Sequence, residues 1–493
     1  MELYDKKDPQ SIELYGRKMI GKSFRQIWEE NLYAQGSGLV VEHTTSSSYA
    51  KGHARKRYKG GLGNLIEECY FKYKSNSDAN PDFPEAGVEL KVTPYKKAGN
   101  TFSAKERLVL TMIDYHSVVK EADFLHSHVW HKSKLILLVW YLYQKEVPIS
   151  LDYIINFVKL FTPPKEDLEI MKEDYNKIVA KIRAGKAHEL SEGDTLYLGA
   201  CTKAPNGEKE TSQPFSNLKA KPRAFSFKNS YMTQVFRKII LNDIDTYEPI
   251  VPQGTTVTDF ESYVQSKISS YKGMSQEALC DRFDVDPQKV RKGIRAILTY
   301  RMLGIKGNHA DEFEKAGIVV KTILFQSNGT IKEHMSFPQI DFVELAEENW
   351  EDCAFGSYLR ETRFFFVTFK KDESGNCYLA GCQFWNMPVG DLEGDVREVW
   401  QETHDIISQG RLHVYIDDKG KFMNNLSKQK DHPIAHVRPH ARTALDMSPL
   451  PEGTHVIVTG NTAAAWDDDT KYTKQCFWLR NSYIAEQIND ENK

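Results

Sequence analysis

Two stretches of this chain occur twice in the same order, and that self-similarity limits the possible fold more than any other feature. Ala86-Gly87-Val88-Glu89-Leu90-Lys91 resembles Ala316-Gly317-Ile318-Val319-Val320-Lys321, 230 positions further on. Phe225-Ser226-Phe227-Lys228-Asn229-Ser230-Tyr231-Met232 resembles Phe477-Trp478-Leu479-Arg480-Asn481-Ser482-Tyr483-Ile484, 252 positions further on. Either match alone could be chance. Two in the same order, with offsets differing by a loop-sized 22 residues, favour a duplication. The expectation is two similar α/β halves, residues 1–240 and 306–493, joined by a helical linker region over 241–305. Pro249, Pro252 and Gly254 mark the start of that linker.

Composition allows two large domains. The 493 residues are 40% hydrophobic and 27% charged, enough for sizeable cores and unlike a disordered chain. The formal charge of −3 excludes a wholly basic, histone-like binder, but not an enzyme whose basic residues gather in one cleft. The seven cysteines are scattered, with no C-x-x-C pair, which argues for reduced thiols in a cytoplasm and against a structural zinc site. Met1 to Lys7 lacks the apolar core of a signal peptide. The most apolar run, Leu135 to Tyr143, is too short for a bilayer span of about 20 residues and reads as a buried helix.

Local patterns place the elements. Ile20, Phe24, Ile27 and Trp28 recur at helical spacing. Leu62, Leu65, Ile66, Cys69 and Tyr70 share one side of a short amphipathic helix. Gly87 to Thr93 and Arg107 to Ile113 read as strands, residues 124–183 as mostly helical, and 192–217 as loop with short strands. Ser275 to Leu298 has the outline of a helix-turn-helix around Phe283-Asp284-Val285. Asp281, Asp284 and Asp286 would repel phosphates there, so a plain helical pair is the stronger reading.

The chemistry concentrates in Pro81-Asp82-Phe83-Pro84-Glu85-Ala86-Gly87-Val88-Glu89-Leu90-Lys91. On a strand, Val88, Leu90 and Val92 would face the core while Glu89 and Lys91 point together to the other face. Asp82 lies in the turn that feeds the strand. Two nearby carboxylates repel, and a hard cation such as Mg²⁺ relieves the repulsion. Lys91 beside it could orient or help deprotonate an attacking water and balance charge on a phosphorus centre. The alternative on spacing alone is a surface hairpin with a solvated Glu–Lys face. Glu67, on the preceding helix, could reach the same zone or be an ordinary exposed glutamate like Glu68.

Lys59-Gly60-Gly61-Leu62-Gly63-Asn64-Leu65-Ile66-Glu67, followed by Pro81-Asp82 and Ala86 to Lys91, resembles the MutH family of Mg²⁺-dependent endonucleases. The likeness continues at Lys228-Asn229 and at His436-Val437-Arg438-Pro439-His440. It implies a PD-(D/E)xK restriction-endonuclease-like fold and action at GATC sites in double-stranded DNA. Full length and duplication look most like a type II restriction endonuclease built from two MutH-like halves. By resemblance, Asp82 and Glu89 hold Mg²⁺, Lys91 serves the water and Glu67 supports them. Lys59, Gly60, Lys203, Lys228, Arg438 and His440 would contact DNA. Val319 stands where Glu89 stands in the first half, and Glu312 falls opposite Asp82, so the second half reads as a pseudo-nuclease copy that binds DNA. The rival readings are a mismatch-repair-type nicking endonuclease and a non-catalytic DNA-binding regulator.

The remaining signals are weaker. Lys51 to Lys59 reads as a phosphate grip or a solvated basic loop. Lys203, Lys219, Lys221, Arg223 and Lys228 interleave with Phe225, Phe227 and Tyr231, which predicts aromatics inside and basic groups outside. His432, His436 and His440 have helical metal-ligand spacing, but Pro433 and Pro439 break any helix there. His126, His128 and His131 read as surface or core-edge residues. There is no Walker loop, so no ATP-driven step is expected, nor any membrane partner. DNA-dependent dimerisation is compatible with cutting two strands from one active site.

Overall fold

The computed structural model describes residues 3–34, 61–73, 80–99, 101–203, 210–242, 247–290, 293–351, 353–416, 422–443, 445–459 and 468–493. Lys59, Gly60 and the basic cluster from Lys51 lie outside the described residues. The chain forms two compact units, residues 1–260 with 311–317, and residues 261–310 with 318–493.

The first unit begins with α1 (Pro9–Arg17) and α2 (Phe24–Ala34). Asp8 caps α1 by accepting from Gln10 N and Ser11 N, and Pro9 at the first helical position loses no hydrogen bond. A short α3 (Gly61–Leu65) runs on into a π-helical turn over Ile66–Tyr70. The first sheet contains β1 (Glu89–Ala98), β2 (Thr101–Ala104), β4 (Ile136–Leu142) and β5 (Ile155–Phe161), in the order β2-β1-β4-β5. Strands β1 and β4 are parallel, with Glu89 opposite Ile136; β5 is antiparallel to β4.

Strand β4 corrects an expectation. Leu135 to Tyr143 reads as a buried helix by hydropathy, yet Ile136–Leu142 is a strand whose first five residues have no exposed surface. Its apolar run is unbroken because both faces are covered: Leu137 and Val139 join the core under α1 and α2, while Trp140 packs against Phe236 from the other side. Residues 124–183 are accordingly helical only in α4 (His128–Ser133), α5 (Lys165–Arg183) and two single 3₁₀ turns.

The second sheet is antiparallel, ordered β3 (Leu108–Met112), β9 (Arg223–Phe227), β6 (Leu198–Thr202). Between β6 and β9 lies a hairpin of β7 (Thr211–Gln213) and β8 (Ser216–Ala220). Helix α6 (Asn229–Val235) follows β9. Asp174 on α5 is fully buried and accepts from Leu196 N, Tyr197 N and Leu198 N at 2.6–2.8 Å, which fixes the start of β6. Burial nevertheless raises this carboxyl to about 6.

The second unit has a similar arrangement of strands. Strand β10 (Ile318–Phe325) is parallel to β12 (Arg363–Lys371), which is antiparallel to β13 (Cys377–Trp385). A second antiparallel sheet is ordered β11 (Met335–Gln339), β15 (Gln475–Leu479), β14 (Ala435–Pro439). The aspartate tether recurs as well: Asp395 accepts from Ile434 N and Ala435 N at the start of β14. Tyr231 donates to Asp167 at 3.0 Å in the first unit, and Tyr483 to Asp391 at 2.7 Å in the second. Asn229 Nδ2 donates to Ala104 O, four residues before β3, and Asn481 Nδ2 to Ile331 O, four residues before β11. Gly87 and Gly317, which precede β1 and β10, both have φ near +65°, a backbone setting that favours glycine.

The helical pair reads differently from a helix-turn-helix. Helix α7 is Gln276–Arg282, and α8 starts only at Ile294, so the connection is far longer than the three or four residues of that motif. All seven cysteines are free thiols. Among the described residues, no helix is long and apolar enough to cross a membrane.

Asp174→Ala would leave three buried N–H groups without an acceptor, at about 1–3 kcal/mol each. A clear drop in melting temperature is expected, and an unchanged melt would show that this tether carries no stability.

Candidate active site

The turn ahead of β1 is closed by Phe83 N to Val88 O at 2.9 Å and Val88 N to Phe83 O at 3.2 Å. Asp82 Oδ2 accepts from Leu90 N at 2.8 Å, which ties this carboxylate to the strand that carries Glu89. Val88 and Leu90 enter the core with Val92 packed against it, as alternation requires. Glu89 and Lys91 take the opposite face. That face is no solvated hairpin surface, since Glu89 is only 2% exposed.

An isolated buried carboxylate is costly, and Glu89 is compensated by two ammonium groups. Lys91 Nζ donates to Oε1 at 2.7 Å, and Lys132 Nζ forms an ion pair with Oε2 at 2.8 Å. Lys132 also donates to Asn80 O at 2.7 Å and is itself buried. Sequence reasoning missed Lys132. It sits on α4, next to the strand that pairs with β1, and the available hint was a lysine inside the mixed apolar segment Val129 to Ser133.

Glu67 differs from its neighbour Glu68. It is buried on the π-helical turn, and its Oε1 has no hydrogen-bond partner among the described residues. Burial, with the negative charges of Asp82, Glu68 and Glu89, pushes its carboxyl up to about 7 against the pull of Lys132. Asp82 is raised as well, first by burial and then by Glu89, with Lys91, the Leu90 N–H and Lys132 opposing. The three acids and two lysines therefore act on one another inside a single buried zone. An oxygen-only donor set with mutual repulsion and an unused buried oxygen suits a hard divalent cation. Beside it opens a cleft lined by Asn80, Ser127, His128, Trp130, His131 and Lys134.

The other predicted positions are spread over the molecule. Lys203 is exposed just past the end of β6. Lys228 is not a surface group: it is 2% exposed and donates to Thr195 O, so the expectation that it contacts DNA does not match its place in the fold. Arg223 is also buried, donating to Ala200 O at 2.7 Å, whereas Lys219 is exposed and Phe225, Phe227 and Tyr231 are core. In the second unit Arg438 and His440 are exposed, and both lie against the Trp478 ring.

The positions of the second half that align with the acid set are occupied differently. Val319 packs against the core, and burial alone lowers the Lys321 pKa. Glu312 belongs to the first unit, where it accepts from Ile250 N and Val251 N at 2.8 and 2.9 Å. Asp395, Glu398 and His432 do bring ligand atoms within 4.8 Å of one another. However, His432 is already bridged by Asp395 and Glu402, which marks an ion-paired tie more than a metal centre.

The family described as DNA mismatch repair enzyme MutH matches residues 71–174, which include Asp82, Glu89 and the parallel pair β1 and β4. The chain is 37% identical over 470 residues to the type II restriction enzyme Sau3AI of Staphylococcus aureus, covering 89% of this chain and 94% of that protein. It is 26% identical over 245 residues to the DNA mismatch repair protein MutH of Vibrio campbellii, covering 48% of this chain and 98% of that one. The MutH protein of Serratia proteamaculans is 28% identical over 182 residues, with 36% and 76% covered. The chain belongs to the family of Sau3AI-like type II restriction enzymes, site-specific endonucleases that act on double-stranded DNA.

Glu67 supplies a stability test. Its folded pKa of about 7 lies above the ordinary 4.5, so the folded state holds the extra proton, and stability falls as pH rises from 4.5 through 7. Without divalent metal, Glu67→Gln should raise the melting temperature at pH 8 and change it little at pH 4.5; equal effects at both would refute the assignment.

Proposed function

We propose that this endonuclease hydrolyses phosphodiester bonds at a short palindrome, GATC by its MutH resemblance, with Mg²⁺ held by Asp82 and Glu89 and supported by Glu67. The observation that carries the proposal is the burial of Glu89 between Lys91 and Lys132 beside two carboxyls of raised pKa. The bound ion would lower the pKa of a water and stabilise negative charge building on the phosphate. Lys91, partly exposed at 22%, orients that water and meets the developing charge. Lys132 holds Glu89 in place from the far side. Asp82 is kept beside Glu89 by its bond to Leu90 N.

In this reading the fold is a duplicated PD-(D/E)xK nuclease, with an N-terminal catalytic domain over 1–240, a helical region over 241–305 and a C-terminal domain over 306–493. The shared strand order and the paired Asp, Tyr and Asn tethers support the duplication. The C-terminal domain lacks the glutamate, binds DNA through Arg438 and His440, and positions or regulates the first. Lys59, Gly60 and Lys203 contact DNA from the first half. The enzyme works in a reducing cytoplasm without ATP, and one active set per chain makes DNA-dependent dimerisation a route to a double-strand break.

Digestion of plasmid DNA with Mg²⁺, followed by sequencing of the ends, should give breaks at one short palindrome. Glu89→Ala and Lys91→Ala should each lower cleavage by at least about 100-fold while leaving specific binding nearly intact. Undiminished cutting by either variant removes this site.

The single acid set also favours a second reading, a nicking enzyme, since the full-length MutH relative spans only half of this chain. A one-site plasmid separates the two: linear product supports restriction, and accumulation of nicked circles alone supports nicking.

A further inference from the structure

In the second unit, His436 is 2% exposed on β14, opposite Trp478 of β15, and neither ring nitrogen has a hydrogen-bond partner among the described residues. A buried donor without an acceptor is rare and calls for a reason. His334 packs edge-on to His436 with ring centroids 5.0 Å apart, its Nδ1 accepting from Asn481 N at 3.0 Å. Arg438, two residues along the same strand face, is exposed over Trp478. Arg480, at the start of α9 (Asn481–Gln487), donates through Nη1 to His432 O at 3.0 Å, while its Nε is buried and has no hydrogen-bond partner among the described residues.

The charges around these rings have one sign. His334, Arg438 and Arg480 all act on His436, the two arginines act on His334, and no carboxylate contributes to either. Buried N–H donors that repel one another and find no acceptor are complementary to an oxyanion. The equivalent face of the first unit is built otherwise. Gly199, opposite Ser226, stands in the place of His436, and Cys201 in that of Arg438. Lys228 stands in the place of Arg480, turned inward to Thr195 O with Asp174 as its counter-charge. The first unit satisfies this region internally; the second presents unspent donors beneath an exposed arginine.

We propose that His334, His436, Arg438 and Arg480 form a phosphate-binding site in the second unit that grips a backbone phosphate of bound DNA. This rests on the reading that the second half binds DNA, and it adds the residues and the chemical group they hold. A phosphate oxygen would accept from His436 and Arg480, and its charge would favour the imidazolium forms of His436 and His334. Binding would then take up protons, so affinity rises as pH falls.

The test uses the full-length chain in a Glu89→Ala background, so that DNA stays uncut. Hydroxyl-radical footprinting and fluorescence anisotropy on a duplex with two sites are run between pH 5.5 and 8. His436→Phe and Arg480→Gln should each weaken binding about tenfold, the cost of one charge-assisted hydrogen bond. His436→Phe should also flatten the pH dependence. Because it replaces unsatisfied buried nitrogens with apolar atoms, His436→Phe should raise the melting temperature while weakening binding, an opposition that a merely structural role would not produce. Inorganic phosphate should stabilise the parent and not the variant. Stabilisation by phosphate with DNA affinity unchanged would identify a free-anion site and overturn the DNA assignment. A footprint at both sites that neither variant alters would overturn the inference and leave the second half's DNA binding standing. No second footprint in the parent would overturn that underlying reading itself.

Discussion

The burial of Glu89 is the constraint on which the polar site of the first unit depends. A carboxylate removed from water must find compensating charge, and here two lysines from different elements supply it, Lys91 from the same strand and Lys132 from α4. Burial raises the carboxyls of both Glu67 and Asp82, and the neighbouring negative charges, Asp82 on Glu67 and Glu89 on Asp82, raise them further. Carboxyls destabilised in this way suit a hard divalent cation, and that is the basis of the proposed metal binding here.

The two units show which features belong to the scaffold and which to the chemistry. Both use an aspartate to gather the first N–H groups of one edge strand, a tyrosine donating to a second aspartate, and an asparagine bound four residues ahead of the opposite edge strand. Removing any of these groups would leave its partner without that hydrogen bond. Glu89 has no such backbone duty. Its counterpart Val319 keeps the strand and its core contacts and gives up only the charge. Lys321, left without the glutamate, is penalised by burial alone.

Much of strand β1 was legible in the residues because alternation along it is a local property. It put Val88 and Leu90 inside and Glu89 with Lys91 opposite, whatever else the chain did. Asp82 was legible for the same reason, lying in the turn that feeds the strand. Lys132 was not, because its role depends on which strand pairs with β1. The parallel partner β4 was itself misread as helix, since a strand covered on both faces loses the alternation that identifies strands. Lys228 illustrates the opposite error. A lysine among aromatics suggests an exposed cation, but this one follows β9 at the N-cap of α6 and spends its charge inside.

The two second-unit histidines sharpen the contrast between structural and ligand-directed polar groups. His432 is buried with an acid at each ring nitrogen, so its charge is spent on the fold and its pKa is raised. His436 lies four residues away and is still more buried, yet it meets only positive neighbours and is held neutral, its pKa lowered to about 4. Stability alone would favour an apolar residue at the second position, because an unspent buried imidazole is a net cost. A group that costs stability where a phenylalanine would not is better explained by a ligand than by the fold. The sign of the charges around it limits that ligand to an anion. In a DNA-cutting enzyme, the apolar Val319 where the first unit carries Glu89 and the arginines beside His436 favour the same reading, the proposed lobe that holds phosphate without hydrolysing it.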